Sequence, residues 1–292
     1  MDPARWPGCP RPWPSGGPTP GTADTSLTFP AETVNPRRVH SPPHGRRTFV
    51  DVVALLGPPG SGKSTLAMAL TAERRDARVF RLREFAHQEA QTDRTVASAL
   101  VRSRDPLGWL PDGVPTVLVR RALDGYASDG GVLLMESYPG TPNQARSLVR
   151  DLSRLGCRGG LIELAAPESV LLNRIQQRLV CAVCDPRRRR PAQPRLDEPG
   201  RCDSCGTELE RRANDAPTVA ARRLDRYQRY APQTLAVLQA SGLVCHTVDS
   251  TQAEPLLIAA ALSAFRSLAP VHPSLPRKGI ARDNRFLTDA HV

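Results

Sequence analysis

Thr48-Phe49-Val50-Asp51-Val52-Val53-Ala54-Leu55-Leu56 runs straight into Gly57-Pro58-Pro59-Gly60-Ser61-Gly62-Lys63-Ser64-Thr65, and this stretch decides the fold. Its first part is short and almost continuously apolar, the pattern of a strand covered on both faces. Its second part fits G-x-x-x-x-G-K-[ST], and a helical pattern over Lys63–Arg74 follows. Strand, glycine-rich loop and helix in this order form a phosphate cradle. Glycines permit a tight loop whose backbone N–H groups face phosphate oxygens, and the helix N-terminus adds partial positive charge. Gly57, Gly60, Ser61, Gly62 and Thr65 are therefore expected to line the phosphates of ATP. Lys63 is expected to reach the terminal phosphates, and Ser64 to offer its hydroxyl to Mg²⁺.

Outward from this loop, apolar runs alternate with helical patterns. Strands are expected at Thr48–Leu56, Ala77–Leu82, Val132–Ser137, Leu161–Ala165 and Val244–Val248. Helices are expected at Lys63–Arg74, Val114–Tyr126, Asn143–Leu155 and Pro167–Leu179, among others. Such alternation implies an α/β fold, a parallel sheet with crossover helices on both faces.

Residues 1–46 carry eleven prolines and no apolar periodicity, so they are expected to form a disordered extension in which Trp6 and Trp13 could anchor a partner. Residues 268–292 read as a second tail, leaving 47–267 as the folded domain. The 292 residues carry a net charge of +11, which favours phosphate-bearing partners. All but Lys63 and Lys278 of the 40 basic residues are arginine, a bias that lowers the weight of any single arginine and raises that of Lys63. Aromatic residues are only 4%, too few for stacking platforms along single-stranded nucleic acid, so nucleic acid is not the expected partner. No apolar run is long enough to span a membrane, no apolar stretch near the start reads as a signal peptide, and the chain is expected to be a cytoplasmic monomer.

Residues 180–213 break the alternation. Cys181-x2-Cys184 and Cys202-x2-Cys205 are separated by 17 residues, a spacing that closes a tetrahedral thiolate site around Zn²⁺. The insertion has few apolar residues, so metal binding would supply much of its folding free energy. Four protein ligands make the site structural. Cys157 and Cys245 read as ordinary core residues, and Cys9 as incidental.

Over roughly residues 48–266 the sequence resembles the adenylate kinase family, in particular bacterial members with a zinc-bearing lid. The loop GPPGSGKST is similar to the family's. Leu134-Met135-Glu136-Ser137-Tyr138-Pro139-Gly140-Thr141, with Gln144 following, resembles its L-L-D-G-F-P-R-T…Q segment. Arg174-Ile175-Gln176-Gln177-Arg178 matches R-I-x-x-R, Cys202–Leu209 resembles the second zinc knuckle, and Val248-Asp249-Ser250 resembles the V-D-G turn beside adenine. The resemblance implies a three-layer phosphate-loop kinase with a helical acceptor region and a lid over 180–213. It also implies that nucleotides, ATP and a nucleoside monophosphate, are the partners. Arg178, Arg212 and Arg223 would clamp the phosphates, a role suited to bidentate guanidinium forks. Arg174 would stack on adenine, Asp249 would flank it, and Glu136 would hold Mg²⁺-bound water. Arg83, His87 and Gln144 would face the acceptor. The run Arg187–Arg190 has no counterpart and reads as solvated lid surface.

Three departures stand out. The family's T-G-D appears as Leu82-Arg83-Glu84, the arginine three residues later is His87, and the arginine of F-P-R-T is Gly140. By resemblance both missing arginines grip the acceptor's phosphate, so AMP is expected to bind poorly unless Arg81 or Arg83 supplies the charge. Ser64 also replaces a usual glycine. The expected activity is ATP- and Mg²⁺-dependent phosphorylation of a nucleoside monophosphate. Two alternatives remain open at this level: a phosphate-loop kinase of a specialised metabolite, and a non-catalytic ATP-binding zinc protein whose Arg187–Arg190 contact nucleic acid.

Overall fold

Strands β1 (Val50–Leu56), β2 (Ala77–Phe80), β3 (Gly131–Glu136), β4 (Arg158–Ala165) and β5 (Val244–Asp249) form one parallel sheet in the order β2-β3-β1-β4-β5. The connections are α1 (Lys63–Glu73) after β1, then α2 (Leu82–Glu89), α3 (Arg94–Arg102) and α4 (Gly113–Tyr126) before β3. Helix α5 (Pro142–Leu155) precedes β4, while α6 (Glu168–Gln177) and α7 (Pro217–Ala240) bracket the cysteine-bearing segment. Helix α8 (Glu254–Leu268) follows β5. This computed structural model describes residues 50–102, 109–110, 113–127 and 130–269. The extension expected over 1–46 and the tail beyond Ala269 lie outside the described residues.

The central strand explains the layering. Val53 and Leu55 of β1 face a core shared with Leu66 and Leu70 of α1 and Ala261 and Phe265 of α8. Val52 faces Leu123 of α4 and Leu148 of α5, and Ala54 and Leu56 face Leu238 of α7. Every one of these β1 side chains is buried. A strand covered on both faces needs apolar residues at every position, which is why its sequence shows no alternation. A satellite core of Ala86, Val96 and Leu118 holds α2, α3 and α4 together beside the β2 edge.

Strands β3 and β5 differ from the sequence reading by one residue at a limit, and β2 and β4 by more. Strand β2 stops at Phe80, because Leu82 already belongs to α2 and Arg81 forms its N-terminal boundary. Strand β4 begins at Arg158, three residues before the expected start. Its Gly159 and Gly160 dilute the apolar signal, and a Cβ on Gly160 would lie 2.6 Å from Leu268 Cδ2, so that side chain packs where a larger residue would have to move it. Thr48 and Phe49 of the first expected strand lie outside the described residues.

The segment between α6 and α7 is tied together by isolated antiparallel bridges, Val180 to Glu210, Pro194 to Cys202 and Arg201 to Glu208. Its apolar centre is small: Cys181, Cys202 and Leu209, with Leu179 and Ala192 against them. Among the described residues, no helix is long and apolar enough to cross a membrane.

Candidate active site

Strand register gathers the polar residues at the carboxyl end of the sheet, where open α/β folds bind ligands. Leu55 of β1 sits opposite Glu136 of β3, and Met135 sits opposite Phe80 of β2. Glu136 therefore lies between the loop that leaves β1 and Arg81, which leaves β2. Its Oε1 accepts a hydrogen bond from the Ser64 hydroxyl, and its Oε2 accepts one from Arg81 Nε at 2.6 Å. The Glu136 side chain is only 11% exposed, so this carboxylate is committed to the site.

The loop itself is shaped by close approach. Gly57 has φ 147°, and a Cβ there would sit 2.8 Å from the Leu164 carbonyl oxygen and 2.7 Å from Ser61 Oγ. No L side chain fits that space. Gly62, also left-handed, opens α1 without any side-chain cap, and Ser61 N–H donates to the Pro58 carbonyl at 3.2 Å. Lys63 curls back over the loop: its Nζ donates to the carbonyls of Gly57 and Pro58, each at 2.8 Å. Although the residue as a whole is half-buried, its ammonium lies deep among these carbonyls. Burial pulls its pKa down to about 7, against the pull of Glu136 and with help from Arg223 and Arg178.

Arg178 and Arg223, distant in sequence, act on this lysine, and Arg212 in turn acts on Arg223. Arg178 leaves α6, and its Nε donates to Asp215 Oδ2 at 2.7 Å, with a second donation from its Nη2 to Oδ1. Burial, then Arg178, holds the Arg212 guanidinium below its usual range. Burial, then Arg212 and Arg178, does the same to Arg223, and Arg83 of α2 contributes too. Asp215 offsets both arginines, and Glu136 and Asp185 assist at Arg212. The result is a cluster of cationic groups beside the loop, the electrostatic complement of a polyphosphate.

Other expected residues fall nearby in varied states. Asp249 accepts from Thr251 N–H at 2.8 Å and from Thr251 Oγ1 at 2.7 Å, and the Thr251 hydroxyl and then its amide hold the carboxyl below its usual range. Arg174 is close enough to add to that effect. Arg83 and His87 are exposed on α2. Gln144 is buried at the start of α5, where its Oε1 accepts from Gly140 N–H at 2.8 Å.

Of the run Arg187–Arg190, three residues are exposed, as the solvated reading expects, and Arg189 is half-buried. Asp185 Oδ2 accepts from the backbone N–H of Arg189 at 2.6 Å and of Arg190 at 2.8 Å. Arg188 takes a left-handed φ of 49° and turns to Glu210 of the same segment, while Arg187 and Arg189 reach across to Glu84 on α2. The sequence offered one hint, an acidic residue in place of the family's T-G-D aspartate, but nothing in it paired Glu84 with this run.

The four cysteine sulfurs at 181, 184, 202 and 205 lie within 4.8 Å of one another. Cys181 Sγ and Cys205 Sγ are 3.4 Å apart, and Cys184 Sγ and Cys202 Sγ 3.8 Å, far too long for disulfides. Tetrahedral Zn–S bonds of about 2.3 Å place sulfurs about 3.8 Å apart, so the cluster fits a zinc ion.

No family model matches the chain. Curated adenylate kinases do. That of Symbiobacterium thermophilum is 32% identical over 194 residues, 66% of this chain and 88% of the relative. That of Moorella thermoacetica is 31% identical over 224 residues, covering 71% and 94%. That of Rhizorhabdus wittichii is 33% identical over 227 residues, covering 73% and 98%.

Proposed function

Since the chain belongs to the adenylate kinase family, we propose that it transfers the terminal phosphoryl group of Mg²⁺-ATP to a nucleoside monophosphate, through an acceptor site altered from the family's. One observation supports the reading: Arg178 and Arg223 act on Lys63 beside the loop, and Arg212 acts on Arg223. Phosphoryl transfer involves little covalent chemistry for the protein and depends on position and charge. The loop amides and α1 would hold the donor's phosphates, and Lys63 would swing from the loop carbonyls to the terminal ones. Arg178, Arg212 and Arg223 would neutralise the charge that develops on the transferred group. Arg178 would do so by exchanging part of its pairing with Asp215. Ser64 and Glu136 would hold the cation that arrives with ATP, their present hydrogen bond keeping both oriented toward it. Arg174 and Asp249 would flank the base. The segment over 180–213 would act as the lid, excluding water that otherwise hydrolyses ATP. Zinc held by Cys181, Cys184, Cys202 and Cys205 would stiffen that lid and take no part in the chemistry.

His87 and Gly140 leave the acceptor's phosphate without the two guanidiniums that the family resemblance would supply, so its charge must be met elsewhere. The alternative in which Arg187–Arg190 grip nucleic acid is disfavoured by the pairing of Arg187, Arg188 and Arg189 with carboxylates of the protein itself. The test is phosphotransfer from Mg²⁺-ATP to a panel of nucleoside monophosphates. At least one should yield a diphosphate, and Lys63→Ala should abolish the transfer.

A further inference from the structure

Three guanidiniums and two carboxylates meet where the lid faces the end of β2. Arg189 donates to Glu84, and Arg187 Nη1 donates to the same carboxylate at 3.1 Å. Arg81 Nε lies 4.0 Å from Glu84 Oε1 while it donates to Glu136. The side chains of Arg189 and Arg81 are only 22% and 18% exposed, against 54% for Arg187. Asp185, which caps the Arg189 backbone, adds a third carboxylate to the same neighbourhood, so the half-buried arginines of this cluster are held by charge pairing. Burial, then Arg81, holds the Arg189 guanidinium below its usual range, and Glu84 offsets this only in part.

The placement of Arg189 is built rather than incidental. The Asp185 cap and the left-handed Arg188 divide the run, sending Arg188 to the lid's own Glu210 and Arg189 inward. Glu136 binds both Arg81 and Ser64, so the cluster adjoins the phosphate loop directly.

We propose that Arg189 of the lid and Arg81 at the end of β2 form the cradle for the acceptor's phosphate, with Glu84 holding Arg189 until the acceptor displaces it and Glu136 keeping Arg81 oriented. The inference rests on the phosphotransfer reading above and deepens it by naming the groups that meet the acceptor's charge. A dianionic phosphate can replace Glu84 as the partner of Arg189 and offers oxygens to two guanidinium forks.

The experiment is steady-state kinetics with Mg²⁺-ATP and the best acceptor from a panel of AMP, GMP, CMP, UMP and dTMP. Arg189→Ala and Arg81→Ala should each raise the acceptor KM by about ten- to a hundredfold, the usual worth of one charged hydrogen bond. The ATP KM should stay within about twofold for Arg189→Ala. Arg189→Lys should recover part of the loss, and Glu84→Gln should lower the acceptor KM. Arg190→Ala, from the same run, is the control that leaves both constants unchanged. Zinc content and melting temperature of Arg189→Ala report whether the lid itself is intact. An unchanged acceptor KM in Arg189→Ala overturns the cradle while leaving the phosphotransfer reading in place. A wild-type protein that phosphorylates none of the five overturns that reading, and the cradle with it.

Discussion

Lys63 is held by carbonyl oxygens and crowded by arginines, and that arrangement has a measurable signature in protons. With its pKa pulled down to about 7, the folded protein binds fewer protons at this site than the unfolded chain between about pH 7 and pH 10.5. The lysine's contribution to stability therefore rises with pH across that window and is lost as pH falls through about 7. Polyphosphate beside the ammonium restores its charge. ATP binding at pH 8 should thus take up protons, seen as a calorimetric enthalpy that varies with the ionisation enthalpy of the buffer. The dependence should vanish in Lys63→Ala. At Gly140 the backbone leaves room: a Cβ would meet only Gln144 Oε1 at 3.5 Å and Ser137 O at 4.0 Å, ordinary contacts. Gly140→Arg should therefore fold normally and lower the KM for AMP by about tenfold or more, the worth of one charged hydrogen bond. An unchanged or higher KM would show that the missing guanidinium is not what limits AMP. Residues whose partners are close in sequence, such as the loop, could be read from the chain alone. Arg189 could not, because its carboxylate partner lies 105 positions away and only folding brings the two together.

The lid segment shows what an element needs when it has almost no core. Its buried apolar residues are Val180, Cys181, Cys202 and Leu209, too little apolar surface to offset the entropy of ordering it. The four thiolates supply the remainder when they bind metal. Cys202→Ser should lose zinc, measured by elemental analysis, and lower the melting temperature, while ATP still binds at the loop. A variant that keeps its metal, or wild-type protein purified without chelators and found free of zinc, would contradict this. The paired knuckles were legible because metal spacing is a local pattern. The start of β4 was not, because Gly159 and Gly160 lie against Leu152 and Leu268, contacts that no window of sequence contains. The helices at α2 and α3 were equally obscured, since they pack on a small core of their own beside the sheet.

Across the whole molecule, the parallel sheet sets the site by register and the excess positive charge suits it to phosphate. Fold class was legible because β1 and its loop are continuous in sequence. The proposed acceptor cradle was not, since it would draw on the β2 end, α2 and the lid, three parts joined only in space. Residues 1–46, with eleven prolines and no apolar face, are expected to add nothing to that core. Deletion of residues 1–40 should leave the melting temperature and ATP affinity unchanged. A fall of many degrees would show that the extension docks on the domain. The central claim is tested most directly by following labelled γ-phosphate from Mg²⁺-ATP in the presence of each nucleoside monophosphate. The account predicts label on a nucleoside diphosphate for at least one acceptor, with transfer abolished in Lys63→Ala. Label that stays on ATP or appears only as free phosphate with every acceptor would contradict it.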